Sequence, residues 1–133
     1  MQGNIKPNKQ IIKKIYEELL NRYGPQGWWP LLEYAGNNPT KTGSVQGYHQ
    51  GDYSFPHDEK QRFEICSGAI LTQNTSWPNV EKALSNLLNK GKLSSKIIVH
   101  TDTDQIAELI RPCGYFNQKA KKLKIFSEFY NQL

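Results

Sequence analysis

Three stretches of the chain combine residue types that suit chemistry better than packing. The first is Gly24-Pro25-Gln26-Gly27-Trp28-Trp29-Pro30. Adjacent tryptophans cannot both be buried on one face of a helix. Each indole is a broad apolar plate that can stack on a planar ring such as a nucleobase. The same pair could equally cover the core where the chain turns over. The second is Gln73-Asn74-Thr75, which follows the apolar run Ala69-Ile70-Leu71. A buried helix ending in amide and hydroxyl groups presents donors and acceptors at its tip, although Asn and Thr also make ordinary polar caps and turns. The third runs from Arg111 to Ala120 and includes Asn117 and Lys119. A lysine in the first turn of a helix opposes the helix dipole, so it calls for an anionic partner nearby.

Other polar residues carry less. His49, Asp52, His57 and Asp58 are close in sequence, but their spacing fits no metal-ligand pattern, and no metal is expected. Asp102 and Asp104 flank a helix start, where carboxylates belong electrostatically. Cys66 and Cys113 form no CxxC pair and read as buried free thiols in a reducing compartment.

The elements that must hold these stretches are helical, about five in number. Ile11, Ile12, Ile15, Tyr16, Leu19, Leu20 and Tyr23 repeat at helical spacing up to Gly24-Pro25. Residues 36–57 contain four glycines and two prolines without a period, within a long irregular loop at about 31–58. The segment 61–73 is apolar nearly all round in its second half, as a central helix is. A third helix follows Ser76, with Pro78 in its first turn, and buries Val80, Ala83, Leu84, Leu87 and Leu88. Residues 93–100 read as a turn or short helix, since no second strand could pair with them. Thr103 is placed to cap a fourth helix that stops at Pro112 and Gly114. The fifth begins near Tyr115 and is expected to bury Ala120, Leu123, Phe126, Phe129 and Tyr130.

The chain has 133 residues and a formal net charge of +5, which allows a single domain. Charge is concentrated at the ends: net +3 over residues 1–24, −2 over 25–110 and +4 over 111–133. Lys119, Lys121, Lys122 and Lys124 crowd into about one helical turn. Basic ends around a neutral middle suit a polyanion such as a nucleic-acid backbone, or else form a solvated face. No apolar run approaches the roughly 18 residues of a membrane span, and residues 1–10 lack an apolar signal core. A cytoplasmic protein with no membrane partner is the expectation.

Four motifs together carry a resemblance: YGPQGWWP (23–30), GYHQGDYS (47–54), FEICSGAILTQNTSWPNVEKAL (63–84) and LIRPCGYFNQKAKKL (109–123). In this order and spacing they resemble the endonuclease III superfamily of DNA glycosylases, in particular the branch that includes 3-methyladenine DNA glycosylases. The resemblance implies an all-α, helix-hairpin-helix fold that flips a damaged base out of duplex DNA. Gln73 matches the helix-tip residue that fills the gap in the duplex, with Asn74 and Thr75 beside it at the DNA. Trp28, Trp29 and Pro30 match the segment lining the base pocket. Asn117, Lys119, Lys121 and Lys122 fall in the junction expected to face DNA.

The resemblance also implies parts that residues 1–133 do not contain. These are the glycine-rich hairpin, a catalytic aspartate beyond it and, in many members, four cysteines around an iron–sulfur cluster. Two distant cysteines cannot hold such a cluster, so no cofactor is expected. Residues 1–133 then read as one incomplete glycosylase domain, half of a helical barrel, inactive in isolation. Its partners would be lesion-bearing duplex DNA in the nucleoid, a C-terminal half, or a second copy docked through the last helix. The alternative is a non-catalytic helical module that binds DNA or another chain.

Overall fold

The computed structural model describes residues 8–24, 29–34, 36, 47–49, 51–52 and 54–133. Helix α1 spans Lys9–Tyr23, α2 Glu59–Leu71, α3 Trp77–Asn89, α4 Ser95–Ile98, α5 Thr103–Leu109 and α6 Phe116–Tyr130, with a 3₁₀ turn at Arg111–Cys113. No strand occurs among the described residues. The all-α expectation holds, and the segment 93–100 contains a short helix. The expected irregular loop at 31–58 shows no helix where it is described, and much of it, including 37–46, lies outside the described residues.

Local signals account for the boundaries. Asp58 accepts from the Gln61 amide at 2.9 Å, so α2 starts two residues earlier than its apolar pattern suggests. Asp102, not Thr103, caps α5, accepting from Asp104 N at 3.1 Å. The Ser76 side chain makes no capping bond at the start of α3. Just before it, the Thr75 hydroxyl accepts from the Asn79 side chain, Nδ2, at 3.1 Å.

The core is built by α2, α3, α5 and α6. Leu71, Val80, Leu84, Leu87, Ile98, Ile106, Ile110, Cys113 and Leu123 are almost wholly excluded from water. Each such aliphatic side chain contributes roughly 1.5–3 kcal/mol through burial. α6 lies across α5, α4 and α2, while α3 packs on α2 and the 3₁₀ turn. Phe63 closes one end of this core, with the Phe126 and Tyr130 rings 6.3 and 5.5 Å away. Tyr130 Oη donates to Glu59 Oε2 at 2.6 Å. Burial, then that bond, pushes the phenol up to about 12.

Burial expectations are corrected at Phe129, and at Leu88 and Cys66, which are half-buried. Phe129 is 56% exposed, because it lies two residues beyond buried Ser127, about 200° around the helix from it. Helix α1 has the expected apolar stripe, yet none of its residues is buried. Ile11, Ile12, Ile15, Tyr16 and Leu19 all face outward.

Candidate nucleic-acid interface

The site begins at the end of α2. Thr72 N–H closes the helix onto Gly68 O at 2.9 Å. Asn74 then takes a left-handed backbone (φ 56°) that reverses the chain into α3. Asn tolerates that region better than most side chains do, so the turn keeps an amide at its apex. Gln73 and Asn74 are consequently exposed, whereas Thr75 is half-buried and bonded to Asn79.

The start of α6 packs beside this tip. Gly114 and Tyr115 both adopt positive φ (68° and 44°) to swing the chain from the 3₁₀ turn into the helix. The Arg111 guanidinium lies 5.2 Å from the Phe116 ring centroid. Asn117 and Lys121 are exposed. Lys122 is also exposed, and its Nζ lies 3.4 Å from Gln73 Oε1.

Lys119 is different and corrects the expectation placed on it. Only 3% of it is exposed, and its ammonium donates to Leu71 O at 2.9 Å and Cys113 O at 2.7 Å. The anionic partner demanded by a lysine in a first turn is the carbonyl end of α2, not a phosphate. Burial raises the Cys113 thiol pKa, and the Lys119 charge opposes that rise. Lys124 is also engaged within the chain, donating to Thr101 O at 2.8 Å. Of the four-lysine cluster, Lys121 and Lys122 remain available to an outside anion.

The tryptophan segment meets α2 at Glu64 and α3 at Trp77. Trp28 lies outside the described residues. Trp29 is partly exposed and stands edge-on to Trp77, centroids 6.0 Å apart at 73°. Trp77 in turn sits against Gly68, where a Cβ would come within 3.1 Å of its Cη2. Pro30 is buried. Three further contacts pin this segment. Leu31 N donates to Gly47 O at 2.9 Å, and Leu32 N donates to Glu64 Oε1 at 2.7 Å. His49 Nε2 lies 3.1 Å from Trp29 O, with Nδ1 3.1 Å from Asp52 O. A neutral imidazole has one N–H and satisfies one of those carbonyls at a time. Gly47 is required here: its φ is +90°, and a Cβ would lie 2.6 Å from Leu31 O.

Glu64 is the buried carboxylate of α2. Burial pushes its pKa above the usual range, and the Leu32 N–H bond pulls the other way. Ser54 donates to Asp52 from both its amide and its hydroxyl, and His57 Nε2 is 2.8 Å from the same hydroxyl. Among the described residues, no group of three or more His, Cys, Asp or Glu side chains is gathered to hold a metal. Nor is any helix there long and apolar enough to cross a membrane.

Lys119 and Lys122 therefore join α6 to the tip of α2, Trp29 leans on Trp77 against Gly68 of the same helix, Asn117 and Lys121 are exposed on α6, and Lys119 and Pro30 are buried. Trp77, Gly68, Glu64 and His49 lie inside the quoted motifs, which by themselves assign them no supporting role. The available signal was a glycine and a carboxylate one turn apart within the mainly apolar second part of α2.

The pattern of the HhH-GPD superfamily base excision DNA repair protein matches residues 67–131, the span from α2 to the end of α6. A protein of Methanocaldococcus jannaschii, named as a DNA repair glycosylase, is 40% identical over 126 residues. These two matches support the endonuclease III superfamily, with the HhH-GPD pattern over that span. The alignment with the archaeal protein covers 94% of this chain and 44% of that one. Endonuclease III homolog 1 of Arabidopsis thaliana is 26% identical over 106 residues, 77% of this chain and 27% of its own length. The crystal structure of the H. pylori 3-methyladenine DNA glycosylase MagIII bound to 1,N6-ethenoadenine superposes with a TM-score of 0.51 at 29% identity. It covers 90% of this chain and 45% of that one. The chain thus spans less than half the length of these superfamily relatives.

Proposed function

We propose that this chain recognises a damaged base in duplex DNA as part of a base-excision N-glycosylase for alkylated purines such as 3-methyladenine. The observation that carries the reading is Trp29 set edge-on to Trp77 over Gly68, five residues before the exposed Gln73 at the tip of the same helix. Alkylation of a purine ring nitrogen makes the base cationic and labile. An indole face attracts such a cation by about 0.5–2 kcal/mol. The extruded base leaves a gap, and Gln73 carries both a donor and an acceptor for the widowed partner base. Asn74, Asn117, Lys121 and Lys122 would meet the backbone around it.

Breaking the glycosidic bond also needs a carboxylate beside the developing sugar cation. Glu64 is buried with Oε1 on Leu32 N–H, and Asp52 is bonded to Ser54. In this reading the carboxylate, any lyase step and any iron–sulfur cluster come from outside residues 1–133. The site of action is the cytoplasmic nucleoid.

The test has two arms. Indole fluorescence should respond to a duplex containing a non-hydrolysable 3-methyladenine analogue, respond little to intact duplex, and lose the difference in Trp29→Phe. Equal responses to both duplexes would return Trp29 to a packing role. The 133-residue polypeptide should release no 3-methyladenine above background, and multiple-turnover excision by it would refute the outside source of the carboxylate. A second reading, a non-catalytic module docked on another chain, is favoured by the uncovered stripes of α1 and of Ile125, Phe129 and Leu133. Light scattering that returned a monomer at all concentrations would count against it.

A further inference from the structure

The tip of α2 is held from α6 at two levels. Lys119 Nζ, buried, ties the last carbonyl of α2 (Leu71 O) to Cys113 O. One turn further along α6, the exposed Lys122 Nζ lies 3.4 Å from the side-chain oxygen of Gln73. One cation holds the backbone from which the turn departs, and the other holds the side chain at its crest. We propose that Lys119 and Lys122 are positioning residues that fix the Gln73 turn in the conformation that enters a gap in duplex DNA. This inference rests on the wedge role given to Gln73 above.

Apart from Lys122 and the Thr75 hydroxyl, which accepts from Asn79 Nδ2 at 3.1 Å, only two backbone bonds hold residues 72–75 among the described residues. Thr72 is bonded to Gly68 O, while Thr75 N reaches Thr72 O only at a long 3.4 Å. Asn74 sits in a region of backbone space that a non-glycine residue occupies at a cost. An amide that must order itself after DNA arrives loses side-chain and backbone freedom at that moment. A turn held beforehand loses less. Lys119 is well suited to this, because its ammonium faces carbonyl oxygens at the negative end of α2, where a cation is stabilised. It gains two charge-assisted bonds to those oxygens. Its contribution is mechanical, since the ammonium is shut off from the phosphate backbone. Lys122 acts on the same turn from solvent and can also touch a phosphate.

The test compares wild type, Gln73→Ala, Lys119→Met, Lys122→Met and the double variant Gln73→Ala/Lys119→Met. One readout is free of DNA: amide hydrogen exchange of residues 72–75 against that of α3. The other is the ratio of affinities for a duplex with a tetrahydrofuran abasic site and for the intact duplex. In Lys119→Met, exchange at 72–75 should rise by about tenfold while α3 stays protected. Its preference for the gapped duplex should fall to that of Gln73→Ala, with the double variant no worse. Lys122→Met, altered only at an exposed side chain, keeps the fold and should lose part of that preference. Unchanged exchange, or a preference retained in both lysine variants, would overturn the inference and leave the wedge intact. A preference retained in Gln73→Ala would overturn the wedge reading and the inference with it.

Discussion

Replacing Gly68 step by step tests the support beneath Trp29. An added Cβ would lie 3.1 Å from Trp77 Cη2, 3.8 Å from Cζ3 and 3.6 Å from Leu84 Cδ1. Carbon atoms in comfortable contact stand about 3.5–4.0 Å apart, so the Trp77 rim must retreat by roughly half an ångström. In Gly68→Ala, helix propensity gains about 1 kcal/mol, and overpacking of a well-filled core costs about 1–3 kcal/mol. The two nearly offset, and the expected net is a loss of about 0–2 kcal/mol. Gly68→Val adds two more methyl groups to the same contact and a stiff branched side chain to the helix. Its expected loss is about 2–4 kcal/mol. Denaturant unfolding measures these, and the emission of Trp77 in a Trp28→Phe/Trp29→Phe background reports the displacement directly. The lesion-dependent fluorescence response should weaken in the same order, Ala before Val, because Trp29 leans on Trp77. Gly68→Ala gaining the full propensity term with unaltered Trp77 emission would refute the seating of the indole on this glycine.

Three further outcomes follow from the burial of charged and titratable groups. Neutralising Lys121 and Lys122 together should flatten the log–log salt dependence of DNA binding by at most about 2, at roughly 0.9 per phosphate contact. Extending the change to Lys119 and Lys124 should lower stability without moving the slope, and a drop near four would show that all four lysines reach phosphate. The Glu64 pKa is raised on folding, so its ionisation destabilises the native state as pH climbs above the ordinary 4.5 and through the folded value. Gln at this position does not ionise, so the melting temperature of Glu64→Gln relative to wild type should become more favourable as pH rises. A constant or falling difference would refute the buried setting. Cys113, fully buried with its thiol pKa raised, should react with Ellman's reagent only on unfolding, whereas half-buried Cys66 should react sooner.

The helices were legible because their signals are local. The 3–4 spacing from Ile11 to Tyr23 marks α1, and the apolar second half of 61–73 marks α2. Which faces become covered was less legible, because coverage depends on a partner and spacing does not. The same rhythm that buries Leu84 and Leu87 leaves Ile11 and Ile15 outside. Phe129 illustrates the limit within one helix, since the hydrophobicity of a residue does not reveal that its position points away from α2 and α5. The site was legible as motifs but not as a scaffold. Trp29 and Gln73 stand out by type, while their link through Trp77 and Gly68 joins segments about 40 residues apart. Glu64 and His49 gave no periodic signal, because each holds one particular loop amide or carbonyl and no repeating surface.

Lys119 shows where the reasoning from sequence was sound and where it ran out. A cation in the first turn of a helix is electrostatically misplaced, so an opposing charge had to exist. Sequence limits the candidates to groups that can be negative, and a phosphate is the obvious one beside three other lysines. The fold offers another: the last carbonyls of a helix carry about half a negative charge between them and lack intrahelical partners. Leu71 O belongs to that set, 48 residues away in sequence and 2.9 Å away in space. A buried carbonyl left bare is itself costly, so one lysine relieves two defects, its own misplaced charge and the unsatisfied end of α2. This makes Lys119 part of the frame that carries Gln73, and it divides the basic cluster into scaffold and surface. It also explains why mutating the cluster as a unit would mislead. Lost affinity would combine the missing phosphate contacts of Lys121 and Lys122 with a loosened tip, and only the salt slope separates them.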